Sequence, residues 1–262
     1  MRRRLVALMA VLAIAALPGV AGAQEADATV YVVHGVPDAV VNVTAAGDAI
    51  ISDFEFGTVE TLSLPAGTYP IGLEFADGSG VIYEEADVTV EAGGVYAAIA
   101  HLNEDGSLAS GLAVEVIDTS AIAAGEARVS AFHYAGAPAV DVVTGDTVLF
   151  DAVPNGASGA LDVPAATYPV SIVADADNSV VALPPTDIDL AEGTNTLVFA
   201  VGVFPDTFTP LIEVVSGLGE SPEGVPSGEG PLGALDATLA VAALALGAGA
   251  LGLGRTLSRR GA

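Results

Sequence analysis

The sequence predicts an all-β protein: two tandem immunoglobulin-like or prealbumin-like β-sandwich domains, plus one C-terminal transmembrane helix. Three observations predict it. Short runs alternate apolar and polar residues, turn signals separate them every 8 to 12 residues, and the pattern recurs at an offset of 99 residues that later drifts by one.

In chain order, residues 1–23 open with Arg2-Arg3-Arg4, run apolar from Leu5 to Leu17 and end on the small-x-small triplet Ala21-Gly22-Ala23. That order of basic, apolar and small residues reads as a cleaved secretory signal peptide. The first β-sandwich follows over 24–120 and the second over 121–215. In Tyr69-Pro70-Ile71-Gly72-Leu73-Glu74-Phe75 every odd position is large and apolar, a period of two that buries one face. Leu112, Val114 and Val116 alternate with Ala113 and Glu115 in the same way. Ala46-Gly47-Asp48, Pro65-Ala66-Gly67, Asp77-Gly78-Ser79-Gly80, Ala92-Gly93-Gly94 and Glu104-Asp105-Gly106 supply the turns, which leaves about seven strands per copy.

Residues 216–231 carry five glycines, three prolines, three glutamates and three serines, a composition that cannot bury a core. They read as a flexible stalk of roughly 20 to 24 Å. Residues 232–254 are Leu, Ala, Val and Gly apart from Thr238 and a single charge, Asp236, near the outer edge, long enough at roughly 35 Å for a bilayer core of about 30 Å. Arg255, Arg259 and Arg260 follow, giving 255–262 as a cytoplasmic tail. The expected address is the cell membrane, single-pass, with the bulk of the chain extracellular. The expected partners are that membrane and an unidentified surface protein or glycan.

The repeat is residue by residue. Ala28-Thr29-Val30 leads to His34 as Ala127-Arg128-Val129 leads to His133. Leu64-Pro65-Ala66-Gly67-Thr68-Tyr69-Pro70 recurs as Val163-Pro164-Ala165-Ala166-Thr167-Tyr168-Pro169, and Val114-Glu115-Val116 as Ile212-Glu213-Val214. The opening run Val30-Tyr31-Val32-Val33-His34-Gly35-Val36-Pro37-Asp38-Ala39-Val40-Val41-Asn42-Val43, with the later Leu-Pro-Ala-Gly-Thr-Tyr stretch, resembles the family catalogued as domain of unknown function 4397. The resemblance implies secreted β-domains in tandem copies and carries no established activity. The second copy departs from the pattern by placing Ala137 where the first has Asp38.

His34 and Asp38 are the candidates for metal or ligand binding, because imidazole and carboxylate share metals and protons. A histidine ending a strand before Pro37-Asp38 reads more simply as a turn, with the aspartate on nearby backbone N–H groups and the histidine packed beneath it. His101 joins them only if the fold brings the end of its strand alongside. Asp175-Ala176-Asp177-Asn178-Ser179 starts like a calcium loop, but Val180 and Thr186 stand where glycine and glutamate belong. It reads as a polar turn, as does Asn103-Glu104-Asp105-Gly106. Tyr69 and Tyr168 read as core residues whose hydroxyls bond back to the chain, like a tyrosine corner.

No nucleophile elbow, cysteine or lysine is present, and Gly156-Ala157-Ser158-Gly159 has the wrong spacing. A non-catalytic protein without cofactors is expected, serving envelope structure, adhesion or ligand capture. The alternative is a carbohydrate- or metal-binding sensor using the His34 end of the first domain. The whole chain carries 33 acids against 7 arginines, a net charge of −26 that excludes nucleic-acid binding. Six of those arginines lie in the terminal segments, so residues 24–231 hold 32 acids against Arg128 alone, a balance of −31. Such a surface suits a salt-rich habitat in which self-repulsion is screened.

Overall fold

The computed structural model describes residues 26–219, in which sixteen strands and no helix are found. The segments expected to form a signal peptide (1–23), a transmembrane helix (232–254) and a tail (255–262), with most of the expected stalk, lie outside the described residues. Among those described, no helix is long and apolar enough to cross a membrane.

The first half contains β1 (Ala28–His34), β2 (Val40–Ala45), β3 (Asp48–Glu55), β4 (Val59–Leu64), β5 (Gly67–Phe75), β6 (Val81–Val90), β7 (Val95–Ala100) and β8 (Ala113–Val116). The second contains β9 (Glu126–His133), β10 (Val140–Thr144), β11 (Thr147–Val153), β12 (Ala157–Pro164), β13 (Ala166–Ala174), β14 (Asp177–Leu190), β15 (Asn195–Val201) and β16 (Thr209–Val215). Each half therefore has eight strands rather than seven. Both halves form two four-stranded sheets with matching orders: β3-β2-β5-β6 over β4-β1-β7-β8, and β11-β10-β13-β14 over β12-β9-β15-β16.

Strand alternation explains each sandwich. Val30 and Val32 from β1 meet Val41, Val43, Ile71 and Leu73 from the opposite sheet in the first core. Val129, Ala131, Val140, Val142 and Ile172 do the same in the second. The other face of β1 and β7 is also apolar, and it does not face water. Tyr31, Val33, Ala97 and Ile99 pack against Phe132, Leu197, Phe199 and Val201 in a third core shared by the two sandwiches. Phe132 and Phe199 stack at 4.8 Å between ring centroids within it. The layers thus number four, and the two inner sheets are covered on both faces. β1–β7 and β9–β15 pair in parallel at their centres, as sheets buried on two sides commonly do.

Equivalent positions of the two halves both contribute to the shared core, Val33 and Phe132 as well as Ile99 and Phe199 among them. Polar groups flank this shared core. Glu115 on β8 accepts hydrogen bonds from the Tyr134 hydroxyl at 2.5 Å and from Ser158 Oγ at 3.1 Å, while its counterpart Glu213 raises the Tyr31 phenol through charge repulsion, after burial. Backbone meets backbone here too. Gly202 N–H donates to Gly35 O at 3.3 Å, and a Cβ on Gly35 would lie 2.7 Å from Ala100 O and 2.9 Å from Val201 Cβ.

The connection between the sandwiches is clamped by Arg128, which is 6% exposed. Its Nε and Nη2 donate to Asp162 at 2.7 and 2.9 Å, and its Nη1 reaches Asp118 Oδ2 at 3.1 Å and Ser120 O and Oγ at 3.2 and 3.0 Å. Asn195 Nδ2 adds a bond to Asp118 O at 3.1 Å. At the other end of the chain, composition assigned Ser216–Gly219 to the stalk. These residues still belong to the fold: Leu218 O accepts from Ile122 N–H at 2.7 Å and Leu218 N–H donates to Gly193 O at 2.9 Å.

Candidate functional site

His34 closes β1 on the face that points into the first core, and it is fully buried. Val36 N–H donates to its Nδ1 at 3.3 Å, and its Nε2 donates to Ala39 O at 3.1 Å, so both ring nitrogens are taken by backbone of the following turn. Phe54 lies against the ring at 5.4 Å. Burial pushes the imidazole below the usual histidine range, with the Ala39 carbonyl offsetting part of the effect. Asp38 is exposed and holds the turn in a left-handed conformation, φ 58°, which aspartate tolerates better than most residues. The two side chains therefore serve one turn without bonding each other. Metal coordination through His34 would require breaking a hydrogen bond inside the core.

His133 repeats this arrangement, with Nε2 on Pro138 O at 3.0 Å. Its Nδ1 has no partner, and burial lowers its affinity for a proton. The end of β7 does lie alongside β1, since Ala100 pairs with His34. Even so, the His101 ring turns to the shared interface, where it meets the edge of Tyr134 at 4.8 Å and bonds Leu102 O through Nδ1 at 3.2 Å.

The supposed calcium loops are turns. Asp177 accepts from Ser179 N–H at 3.0 Å and Oγ at 2.6 Å, and Asp105 takes Ser107 in the same way at 2.9 and 2.6 Å. Each aspartate is held below the usual carboxylate range chiefly by the serine hydroxyl. Asp175 instead joins a group that its sequence position conceals. One oxygen each from Asp141, Asp151 and Asp175 lie within 4.8 Å of one another. Asp141 is 4% exposed and accepts Ala152 N–H at 2.7 Å. Carboxylate oxygens are the donors a hard cation takes. The first copy has Asn42, Ser52 and Ala76 at these positions, so the cluster belongs to the second sandwich alone. Asn42 keeps the structural part of the job, accepting Asp53 N–H at 3.1 Å.

The tyrosine reading holds in both copies. Tyr69 donates to Pro65 O and Tyr168 to Pro164 O, each at 2.8 Å, and replacing Gly67 by Ala166 leaves the bond unchanged. The sandwich interiors offer no ligand chamber among the described residues: apolar cavities of about 30 and 20 Å³ are far below the several hundred that a small molecule needs.

Fold and site together describe an all-β protein whose histidines and sole core arginine serve the architecture. The family model described as Domain of unknown function (DUF4397) matches residues 28–143, so this part of the chain carries a domain of that family. The matched stretch contains all of β1–β8 and continues through β9 into β10. No curated protein matches the chain.

Proposed function

We propose that the chain is a membrane-tethered, non-catalytic extracellular protein that holds a rigid pair of β-sandwiches away from the cell for envelope structure, adhesion or ligand capture. The second sandwich is read as a diverged copy of the same family domain. One observation carries the non-catalytic part: His34, His133, His101 and Arg128, the residues best suited to chemistry, hold a turn, an interface or a linker. Tethering rests on the apolar segment 232–254 with its arginine flank, and display outside the cell on the signal-like segment 1–23. The balance of −31 over 24–231 supports an environment in which high salt screens self-repulsion.

Cell fractionation tests this reading. The full chain is expected in the membrane fraction and accessible to external protease, whereas a chain ending at residue 231 is expected in the medium. Intact full-length protein free in the medium would contradict tethering.

A further inference from the structure

The turn between β11 and β12 contains the chain's one Asn-Gly pair, Asn155-Gly156. Separate demands place the two residues there. Ala157 N–H donates to Pro154 O at 3.1 Å and Gly156 sits at φ 79°, the left-handed third position of a type II turn, which favours glycine. The first half turns at the same place with Gly57 at φ 78° but has Phe56 before it, so the turn itself asks for no asparagine. Asn155 answers instead to the junction of the sandwiches. Its Nδ2 donates to Leu102 O of the first half at 3.1 Å and to Ala135 O of the second at 2.6 Å. Leu102 and Ala135 are both buried, so this amide ties the backbone that follows β7 to the backbone that follows β9.

An asparagine followed by glycine carries its own reaction. The Gly156 nitrogen attacks Asn155 Cγ, the side-chain nitrogen leaves as ammonia with the proton that the backbone nitrogen gives up, and a succinimide closes. Water then opens the ring at either carbonyl, giving aspartate at 155 or an isoaspartate that routes the main chain through the former side chain. No oxidant or reductant enters. Glycine permits the attack because no Cβ shields its nitrogen and its backbone turns freely. In the folded chain both reacting groups are occupied: Gly156 N–H donates to His133 O at 2.7 Å, and the leaving amide is held by the two carbonyls. Attack requires all three bonds to break, and the one to Leu102 breaks when the sandwiches part.

We infer that Asn155-Gly156 is a deamidation site gated by the junction of the two sandwiches, closed while they are docked and reactive when they part. An aspartate at 155 has no N–H for either carbonyl and sets a carboxylate against two carbonyl oxygens, in a chain whose net charge is already −26. The isoaspartate lengthens the main chain just before Ala157, which pairs with His133 at the start of β12. Conversion therefore loosens the junction that protected the site. The inference does not depend on where the chain resides.

The test incubates the purified full chain in mildly alkaline buffer, folded and in urea, and follows the exchange of NH2 for OH by mass spectrometry of the chymotryptic fragment around Asn155. Conversion in urea should match that of a free peptide spanning residues 151–161, and in the folded chain it should be slower by about tenfold or more. Ile99→Val trims the shared core without touching the turn, and should speed conversion of the folded chain about two- to tenfold. Asn155→Asp, the product itself, should melt below the wild type, and Asn155→Ser, which keeps a donor and cannot close the ring, should melt between the two. Folded conversion as fast as in urea overturns the inference, as does an Ile99→Val chain that converts at the wild-type rate. Absence of conversion in urea would remove the site, and an Asn155→Asp chain that melts with the wild type would remove its effect on the junction.

Discussion

Replacing Arg128 by Met removes the only cation from the described β-fold and leaves its hydrocarbon volume. The guanidinium makes two charge-assisted bonds to Asp162 and further contacts to Asp118 and Ser120, from a side chain that is 7% exposed. Breaking a fully buried ion pair costs about 3 to 5 kcal/mol, because the abandoned charge stays in a dry site. Here the abandoned charges reach water: the Asp162 side chain is 35% and the Asp118 side chain 52% exposed. The loss should therefore fall between the buried figure and the 0 to 1 kcal/mol of an exposed pair, at about 2 to 3 kcal/mol. For a unit of this size each kcal/mol moves the melting temperature by about 2 to 4 °C, so a drop of about 5 to 10 °C is expected. Thermal unfolding followed by circular dichroism reads it. Arg128→Lys should recover less than half, since an ammonium cannot span both Asp162 oxygens. A drop below about 2 °C for the Met variant, or full recovery by Lys, would refute the clamp.

Tyr69→Phe and Tyr168→Phe should each cost about 1 kcal/mol, the worth of one bond to Pro65 O or Pro164 O, and the effects should add because the sites lie in different sandwiches; chemical denaturation measures both. Burial lowers the folded-state affinity of His34, His101 and His133 for protons, so the unfolded chain takes them up first as pH falls. The resulting stability is fully present above the ordinary histidine value near 6.5 and is lost below it, by at most about 1.4 kcal/mol per pH unit for each histidine. A melting temperature that stays flat or rises from pH 7.5 to 5.5 would contradict this. Asp141→Asn restores the first-copy residue and relieves repulsion with Asp151 and Asp175, so the melting temperature should rise, most at low salt; a fall shows that the third carboxylate is needed. The wild-type chain itself should melt higher in molar salt than at low ionic strength, and no rise would count against an acidic surface suited to salt.

The parts of the fold legible beforehand are those governed by local chemistry. Alternation at Tyr69–Phe75 gave a strand, Pro65 and the tyrosine after it gave a turn with a hydroxyl bonded back, and the residue-by-residue repeat gave two sandwiches of matching strand order. β3 was harder to see, because Asp48–Glu55 is an end strand with one buried residue and no clear period. The shared core was hidden for a different reason. Val30-Tyr31-Val32-Val33 and Val95–Ala100 are continuous apolar runs, the pattern of strands covered on both faces, but a run cannot name what covers its second face. That partner lies about 100 residues away. The aspartate cluster is likewise assembled by β10, β11 and the turn after β13, and its sequence trace was the placing of Asp141, Asp151 and Asp175 where the first half has Asn42, Ser52 and Ala76.

Because Tyr31, Val33, Ala97 and Ile99 share one core with Phe132, Leu197 and Phe199, the two sandwiches should unfold together. Differential scanning calorimetry of the chain tests this directly. One transition with equal calorimetric and van't Hoff enthalpies is expected, shifted as a whole by Phe199→Ala, which removes about 3 to 5 kcal/mol from a fully buried site. Two transitions, with Phe199→Ala moving only one, would contradict a rigid pair and leave two independent sandwiches.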